Sequence, residues 1–401
     1  MPIVFGGVHP TLSPQSVISL PFVDYVMVGE GEEALPALLE CLGGDRDIET
    51  VPNLFYKKFG KTHRTPLLPY IRDLDSLPLP NKDLYSEVNP FVLTNYCIVT
   101  SRGCPFGCTY CSNNAYHKLY AMENNHVRRR SPQNVINELT IAKEKHPIDN
   151  IFFVDDIFTM SKGWLKEFLT LYKEAIDIPF TCLGHPKTVN AEIAQMLAKA
   201  KCYSIEFGFQ TPNDHLRLNI LERTDSRKEV KQLAETCQKN SLAFTIDHIF
   251  GLPGDDLSDY RDNLHYYNEI RPNTICKYWL NFYPGTAIIE KSLEHGLLSP
   301  EEISSIENGA LSFDYKIGGH LVRFPDELRK SRRIAFFMEL MVFLPKPLVT
   351  KLISHNVHKY MPGSETAYLI AMGLRAFLRG ELRTVKVAKG QLTKIMRRVW
   401  K

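Results

Sequence analysis

The sequence of 401 residues lacks any run of 18 or more apolar residues, which argues against a membrane-spanning helix. Its N-terminus has no basic start followed by a long apolar stretch, so no secretory signal peptide is predicted. We therefore expect a cytoplasmic protein, in which thiols stay reduced. Its nine cysteines are then expected to be metal ligands or buried thiols and not disulfides. With 44% hydrophobic and 23% charged residues, the composition is typical of folded globular domains.

Acidic residues are scarce toward the C-terminus. Residues 323–401 contain 17 Lys and Arg but 5 Asp and Glu, and residues 384–401 contain six cations and no acid. A basic tail can bind an anionic membrane surface or nucleic acid, although a solvated helical face is the simpler interpretation. We expect at most a peripheral membrane contact, and a nucleic-acid partner is not favoured.

The hydrophobic pattern divides the chain into four segments. Residues 1–50 predict strand, loop, strand and helix, which is a partial α/β domain, and residues 51–95 are a proline-rich connector with a short hairpin near Gly60. Residues 96–290 alternate between strands and helices, and residues 291–401 predict helices only. The predicted strands of the third segment are residues 97–100, 150–154, 180–183, 203–209, 243–250 and 275–282. Six successive βα units predict an α/β fold with a parallel, incomplete (β/α)6 barrel of the TIM type.

Three cysteines follow the first of these strands at the spacing C-x3-C-x2-C: Cys104, Cys108 and Cys111. The glycines and the proline between them allow the tight backbone path that brings three thiolates to one metal centre. Thiolates suit iron–sulfur clusters or zinc. A closed zinc site needs a fourth ligand, and no further Cys or His has the matching spacing. Three ligands leave one metal position open, as a catalytic centre requires.

This segment resembles the radical S-adenosylmethionine (SAM) superfamily, whose C-x3-C-x2-C loop holds a 4Fe–4S cluster. Tyr110, the aromatic residue before the last cysteine, also fits that pattern. The resemblance implies that the reduced cluster gives an electron to SAM, so that a 5′-deoxyadenosyl radical forms and abstracts hydrogen. It also implies an electron donor such as flavodoxin or ferredoxin.

Further positions match the family's cofactor contacts. Asp155 and Asp156 end the second barrel strand, where the family receives the amino group of SAM, and a helix cap is the alternative. Glu206 and Gln210 alternate along the fourth strand, and the resemblance directs them to the ribose hydroxyls or the substrate. Arg223 matches a basic position that contacts the cofactor carboxylate, although an exposed helix-end arginine is the simpler interpretation.

The Gly-Leu-Pro-Gly turn with Gly251 and Gly254 resembles the family's turn against the adenine, because glycine lets the backbone approach a flat ligand. The neighbouring His248 is interpreted as a core histidine. The single cysteines, most of them expected to be buried thiols, are Cys41, Cys182, Cys202, Cys237 and Cys276.

The first fifty residues are similar to the second half of a cobalamin-binding, Rossmann-like domain. The similarity rests on the Gly-Gly loop with His9, on residues 24–32 and on the connector at residues 71–80. The cobalt-binding motif Asp-x-His-x-x-Gly of that family is absent. Either the chain is truncated or the domain is vestigial and binds no cobalamin. The open sheet edge that such a start leaves favours truncation.

Together these features predict a radical SAM enzyme that methylates or cyclises a hydrophobic substrate, such as a tetrapyrrole or a lipid. One alternative is a radical SAM methylthiotransferase acting on RNA, which usually carries a second cysteine set and a small β-domain that are not visible here. The other alternative is a non-enzymatic protein that holds zinc or an iron–sulfur cluster.

Overall fold

The computed structural model describes residues 1–85, 91–120 and 127–378, and the basic stretch at residues 384–401 lies outside the described residues. The predicted membrane contact of that stretch therefore stays a prediction. Within the described ranges, none of the helices is both long enough and apolar enough to cross a membrane.

The N-terminal unit is a four-stranded sheet with short helices. Its elements are β1 (Val4–Phe5), α1 (Val8–Leu12), α2 (Pro14–Ser19), β2 (Tyr25–Met27), α3 (Ala34–Gly43), β3 (Leu54–Lys58) and β4 (Lys61–Arg64). The strands lie in the order β1-β2-β3-β4, with β1 and β2 parallel and the other pairs antiparallel. The predicted hairpin near Gly60 is confirmed. It extends the N-terminal sheet, although the sequence assigned it to the connector.

A six-stranded parallel sheet forms the centre of the molecule, as predicted. The elements from residue 91 to residue 279 are α4 (Phe91–Thr94), β5 (Asn95–Ile98), β6 (Ser101–Arg102), α5 (Ser112–Leu119), β7 (Arg128–Arg129), α6 (Pro132–Lys145), β8 (Asn150–Phe153), α7 (Lys162–Ala175), β9 (Phe180–Gly184), α8 (Ala191–Lys199), β10 (Cys202–Gln210), α9 (Arg227–Lys239), β11 (Ala243–Phe250), α10 (Arg261–Ile270) and β12 (Thr274–Trp279). The strands follow the order β12-β11-β10-β9-β8-β5, so neighbours in the sheet follow one another along the chain, with only the short β6–β7 pair set apart.

Side chains alternate between the two faces of this sheet. Phe207, Phe244 and Ile275 point toward the helices and belong to one large apolar core. The opposite face carries the polar residues, since parallel register sets Gly208 beside Asp247 and Asp247 beside Cys276. The apolar face therefore holds the fold together, and the polar face is free to bind ligands.

The C-terminal helices are α11 (Ile288–Glu294), α12 (Pro300–Glu307), α13 (Pro325–Met341), α14 (Lys346–Ser354) and α15 (Glu365–Leu378). The helix predicted at residues 332–343 begins instead at Pro325. Proline at the first helical position and two acids in the first turn favour that start. α13 and α15 are tied to β12 by a buried ion triad, in which Glu339 contacts both Lys277 and Arg375.

Candidate active site

The cysteine loop lies between two anchored segments. It follows β6, which pairs with β7, and it ends at Cys111, the N-cap residue of α5. Within the loop, the Cys111 amide donates to the Cys108 carbonyl at 3.1 Å. The Thr109 hydroxyl donates to the Ile220 carbonyl at 2.7 Å. These backbone contacts fix the path that carries the three thiols.

Two side chains of α5 contact backbone carbonyls of the cysteine loop. The Asn114 side chain donates to the Gly107 carbonyl at 3.1 Å, and His117 Nε2 contacts the Cys104 carbonyl at 2.8 Å. His117 therefore touches the backbone of the loop and not a thiol. The sequence placed it too far from the C-x2-C spacing to be a ligand, and this geometry agrees.

Cys108 is buried, with 8% exposure, and Cys104 and Cys111 are half-buried. Burial raises the pKa of the Cys104 thiol to about 12 and also raises the pKa values of Cys108 and Cys111. The free thiols are therefore protonated at neutral pH, and a metal centre would displace those protons.

Arg223 joins the loop to the polar face of the sheet. Its guanidinium donates to the Gly208 carbonyl at 2.5 Å and to the Asp225 carboxylate at 3.1 Å. The longer contacts of its Nη1 atom are 3.4 Å to the Tyr110 hydroxyl and 3.7 Å to the Cys108 sulfur. Arg223 is only 6% exposed, so its interpretation as an exposed helix-end residue is wrong.

The two aspartates after β8 differ in their contacts. Asp155 is buried and accepts hydrogen bonds from the Thr100 amide at 3.1 Å, from the Thr100 hydroxyl at 2.7 Å and from the Ser101 hydroxyl. Asp156 accepts one bond from Asn113 at 3.1 Å, and the same Asn113 nitrogen lies 3.8 Å from the Cys111 sulfur. Asp155 therefore anchors the start of the cysteine segment, and it does not cap a helix. Asp156 faces the cysteines.

This difference predicts unequal effects on stability. Asp155→Ala leaves buried donors on Thr100 and Ser101 without an acceptor, so we expect the free energy of unfolding to fall by about 2 to 3 kcal/mol. Asp156→Ala is the matched control, for which we expect a change within about 0.5 kcal/mol. Urea unfolding followed by circular dichroism measures both. Equal midpoints for the two variants would contradict the anchoring role of Asp155.

The polar face next to Gly208 holds four residues that the structure brings together. Glu206, Asp247 and Cys276 each offer a ligand atom, and these atoms lie within 4.8 Å of one another. Glu206 and Asp247 share a hydrogen bond, and burial first, then Glu206, raises the pKa of Asp247 well above its usual range. Tyr278 hydrogen-bonds to Cys276. The direction of this shift favours the protonated form of Asp247, which donates within the pair.

The sequence did not predict that Asp247, Cys276 and Tyr278 belong to the site. The alternation that singled out Glu206 also applies to β11 and β12, but only the register between strands sets Asp247 and Cys276 beside Gly208. Gln210 lies past a β-bulge at the end of β10, with a φ of 71°. Its buried Oε1 has no hydrogen-bond partner. Bulges of this kind re-aim a side chain next to a binding site.

The Gly-Leu-Pro-Gly turn lies at the end of β11. Gly251 has a φ of +76°, and a β-carbon there would come within 2.9 Å of both His320 and Leu321. Packing against the segment with His320 and Leu321 therefore explains why residue 251 is a glycine, and no ligand is needed for that explanation. Gly254 lies apart from the cysteines, near Leu216. The interpretation of His248 as a core residue is confirmed, since each of its ring nitrogens contacts a tyrosine hydroxyl at 2.7 Å.

A cavity of about 330 Å³ separates the N-terminal unit from the cysteine loop. Its wall is organised by Glu30, whose Oε1 accepts from Arg102 at 2.8 Å and from Arg128 at 2.7 Å. Glu30 Oε2 accepts from the Ile71 amide at 2.8 Å. Burial opposes ionisation of Glu30, but the hydrogen bonds from Arg128 and Arg102 lower its pKa overall. One carboxylate thus ties together the N-terminal loop, the connector and the cysteine segment.

Comparison with known proteins agrees with this geometry. Residues 98–266 match the model of the radical SAM superfamily. An uncharacterized methyltransferase of Pyrococcus horikoshii is 27% identical over 74% of this chain and 64% of its own length. The anaerobic magnesium-protoporphyrin IX monomethyl ester cyclase of Rubrivivax gelatinosus is 25% identical over 62% of this chain and 45% of its own.

Among solved structures, the cobalamin-dependent SAM radical enzyme OxsB, with aqua-cobalamin and SAM bound, covers 98% of this chain and 68% of its own length. The TM-score is 0.66 at 13% identity, which shows a shared fold. The chain spans less than two thirds of the length of the methyltransferase of Pyrococcus horikoshii and of the cyclase of Rubrivivax gelatinosus.

Proposed function

We propose that this chain, whose residues 98–266 match the model of the radical SAM superfamily, is an enzyme that methylates or cyclises a hydrophobic, tetrapyrrole- or lipid-like substrate with a 4Fe–4S cluster and SAM. The observation that carries the proposal is the loop that holds Cys104, Cys108 and Cys111, with Cys108 in contact with the buried Arg223. The methyltransferase and cyclase relatives support the two reaction types. The consecutive order of the six parallel strands supports the incomplete (β/α)6 barrel.

The donor set fits a cluster better than a single zinc ion. Tetrahedral zinc–thiolate bonds of about 2.3 Å set sulfurs about 4 Å apart. Across the part of the chain that the structure describes, the group of three ligand atoms mutually within 4.8 Å is the one on the polar face of the sheet. The three loop sulfurs thus do not all lie within 4.8 Å of one another. Three thiolates also leave a tetrahedral zinc ion one ligand short of a closed site, which favours a cluster with an open iron.

The chemistry that such a cluster supplies when bound and reduced is the electron that cleaves a carbon–sulfur bond of SAM. The protein contributes orientation and exclusion of water. Arg223 Nη1 has only long contacts, at 3.4 and 3.7 Å, so this nitrogen is the one that can donate to the cofactor carboxylate. The other guanidinium nitrogens donate to Gly208 and Asp225. These two hydrogen bonds fix the orientation of the guanidinium.

Asp156 suits the amino group of SAM better than Asp155 does. The Asp155 oxygens already accept from Thr100 and Ser101. The Asp156 carboxylate has one bond, to Asn113, which also lies beside Cys111. A cation held by Asp156 would therefore sit next to the thiols.

Cobalamin enters no step of this proposal. OxsB binds it, but the cavity beside Glu30 has a volume of about 330 Å³, which is smaller than a corrin ring with its nucleotide tail. The residues lining that cavity are also charged, with Arg102 and Arg128 engaged by Glu30. This cavity alone is therefore too small to hold a cobalamin.

The proposal is tested by reconstituting the full chain with iron and sulfide under anaerobic conditions. After addition of SAM, we expect 5′-deoxyadenosine by mass spectrometry when dithionite is present and none when it is omitted. Absorption near 400 nm reports the cluster independently of turnover. A protein with its full complement of iron and sulfide that forms no 5′-deoxyadenosine would contradict the proposed activity.

A further inference from the structure

A second cavity, of about 200 Å³, lies between the loop before α10 and the C-terminal helices. One wall is the loop before α10, with Leu257 and Ser258, and the other is α13 and the short helical turn at Val357–Tyr360. Most of its polar wall is cationic or imidazole in character. None of these residues belongs to the proposed radical SAM site.

His358 forms the buried end of this cavity. Its exposure is 1%, and neither ring nitrogen has a hydrogen-bond partner among the residues that the structure describes. The ring packs against Phe337 with centroids 6.1 Å apart. Burial first, then the charge of Lys359, lowers the pKa of His358 to about 4, so the ring is neutral and presents one donor and one acceptor. Buried polar groups in folded proteins are nearly always hydrogen-bonded, which indicates that a ligand completes this wall.

Arg333, on α13, is the second unsatisfied group. Its Nε atom is buried without a partner, and within residues 1–85, 91–120 and 127–378 its guanidinium has no ion pair. The neighbouring acids have other partners, and Asp256 accepts from the side chain and the amide of Ser258. Glu327 pairs with Lys330 at 2.6 Å, and Asp259 pairs with Arg261 at 2.7 Å. The positive charge of Arg333 is therefore not balanced inside the cavity.

We propose that this cavity binds the phosphate group of a phosphate monoester. The Arg333 guanidinium, the Lys359 ammonium and the neutral His358 imidazole all line this cavity, while the Ser258 hydroxyl donates to the Asp256 carboxylate. Several donors around one centre match the oxygens of a phosphate better than the two of a planar carboxylate. Leu257 and Ile334 supply the apolar wall for the carbon attached to the ester oxygen.

The test is isothermal titration of the full chain with glycerol 3-phosphate at physiological ionic strength. We expect saturable binding of one molecule per chain. Arg333→Gln and His358→Gln should each weaken it by about tenfold or more, because each removes a donor to a charged acceptor. Arg329→Gln is the matched control: this arginine is exposed on the same helix and contacts Asp326, so binding should be unchanged.

A second arm uses vesicles of phosphatidylcholine containing phosphatidic acid. Binding to glycerol 3-phosphate that both substitutions weaken identifies a soluble ester, and binding to the vesicles alone with the same sensitivity identifies a lipid headgroup. Lys359→Gln, at an exposed position, provides a variant whose folding is not at risk. The proposal is overturned if neither probe binds, or if binding is indifferent to Arg333→Gln, His358→Gln and Lys359→Gln.

Discussion

Alanine at Cys104, Cys108 or Cys111 is expected to remove the iron–sulfur cluster and to reduce 5′-deoxyadenosine formation to background. The three thiols belong to one loop, in which Cys108 contacts Arg223. The nearby His117 is directed to a backbone carbonyl and offers no replacement ligand. A cluster with two protein ligands is not retained, so the loss should be complete and not graded. Iron and sulfide content, absorption near 400 nm and product formation measure it together.

Cys97→Ala is the matched control for these variants. Cys97 is an exposed thiol on β5, close in sequence to the loop, and its removal should leave iron content and activity unchanged. If the loop variants kept their full iron content, the cluster would have to lie elsewhere. One zinc per chain in the wild type, lost in the same variants, would instead favour the metal-binding alternative.

Glu339→Gln is expected to destabilise the protein by about 3 to 5 kcal/mol, since it takes away a counter-charge that two buried cations share. The Glu339, Lys277 and Arg375 side chains are 1%, 2% and 5% exposed, and Arg375 Nε lies 2.6 Å from Glu339. Burial lowers the pKa of Lys277 despite the neighbouring carboxylate, which reflects the cost of holding this ammonium away from water. Removal of Glu339 makes that cost larger.

Urea unfolding measures this effect through the fluorescence of Trp279, which is buried on β12 and donates to Ser331 of α13. Glu327→Gln on the same helix removes an exposed ion pair with Lys330, for which we expect about 0.5 kcal/mol or less. If the two variants unfolded at the same urea concentration, the triad would not join α13 and α15 to the sheet.

Local signals in the sequence predicted the central sheet well. The helix at Pro132–Lys145 was predicted with both ends correct, because Ser131 caps it and proline occupies its first position. The strand at residues 243–250 was also correct at both ends. The helix predicted at residues 258–270 starts at Arg261, because the Asp256 and Asp259 side chains accept from backbone amides in that loop and hold it out of the helix.

The site was predicted only in part, for a physical reason. Three cysteines within eight residues form a local pattern that spacing reveals. The burial of Arg223 depends on Gly208 and Cys108, which are 15 and 115 residues away in the sequence. The neighbours of Asp247 depend on strand register. Neither follows from periodicity within one segment.

The Glu30 carboxylate has a dynamic consequence. It joins Arg102, Arg128 and the Ile71 amide, which are 72, 98 and 41 residues away. Release of the Gly29–Glu30 loop would leave the buried Arg128 without its counter-charge and Arg102 with Glu32 alone, so the segments should open and close together as one cooperative unit. Amide hydrogens of β6 and β7 would then exchange at a common rate set by opening of the N-terminal loop. The cysteine segment is therefore stabilised by contacts with residues that are distant from it in the sequence.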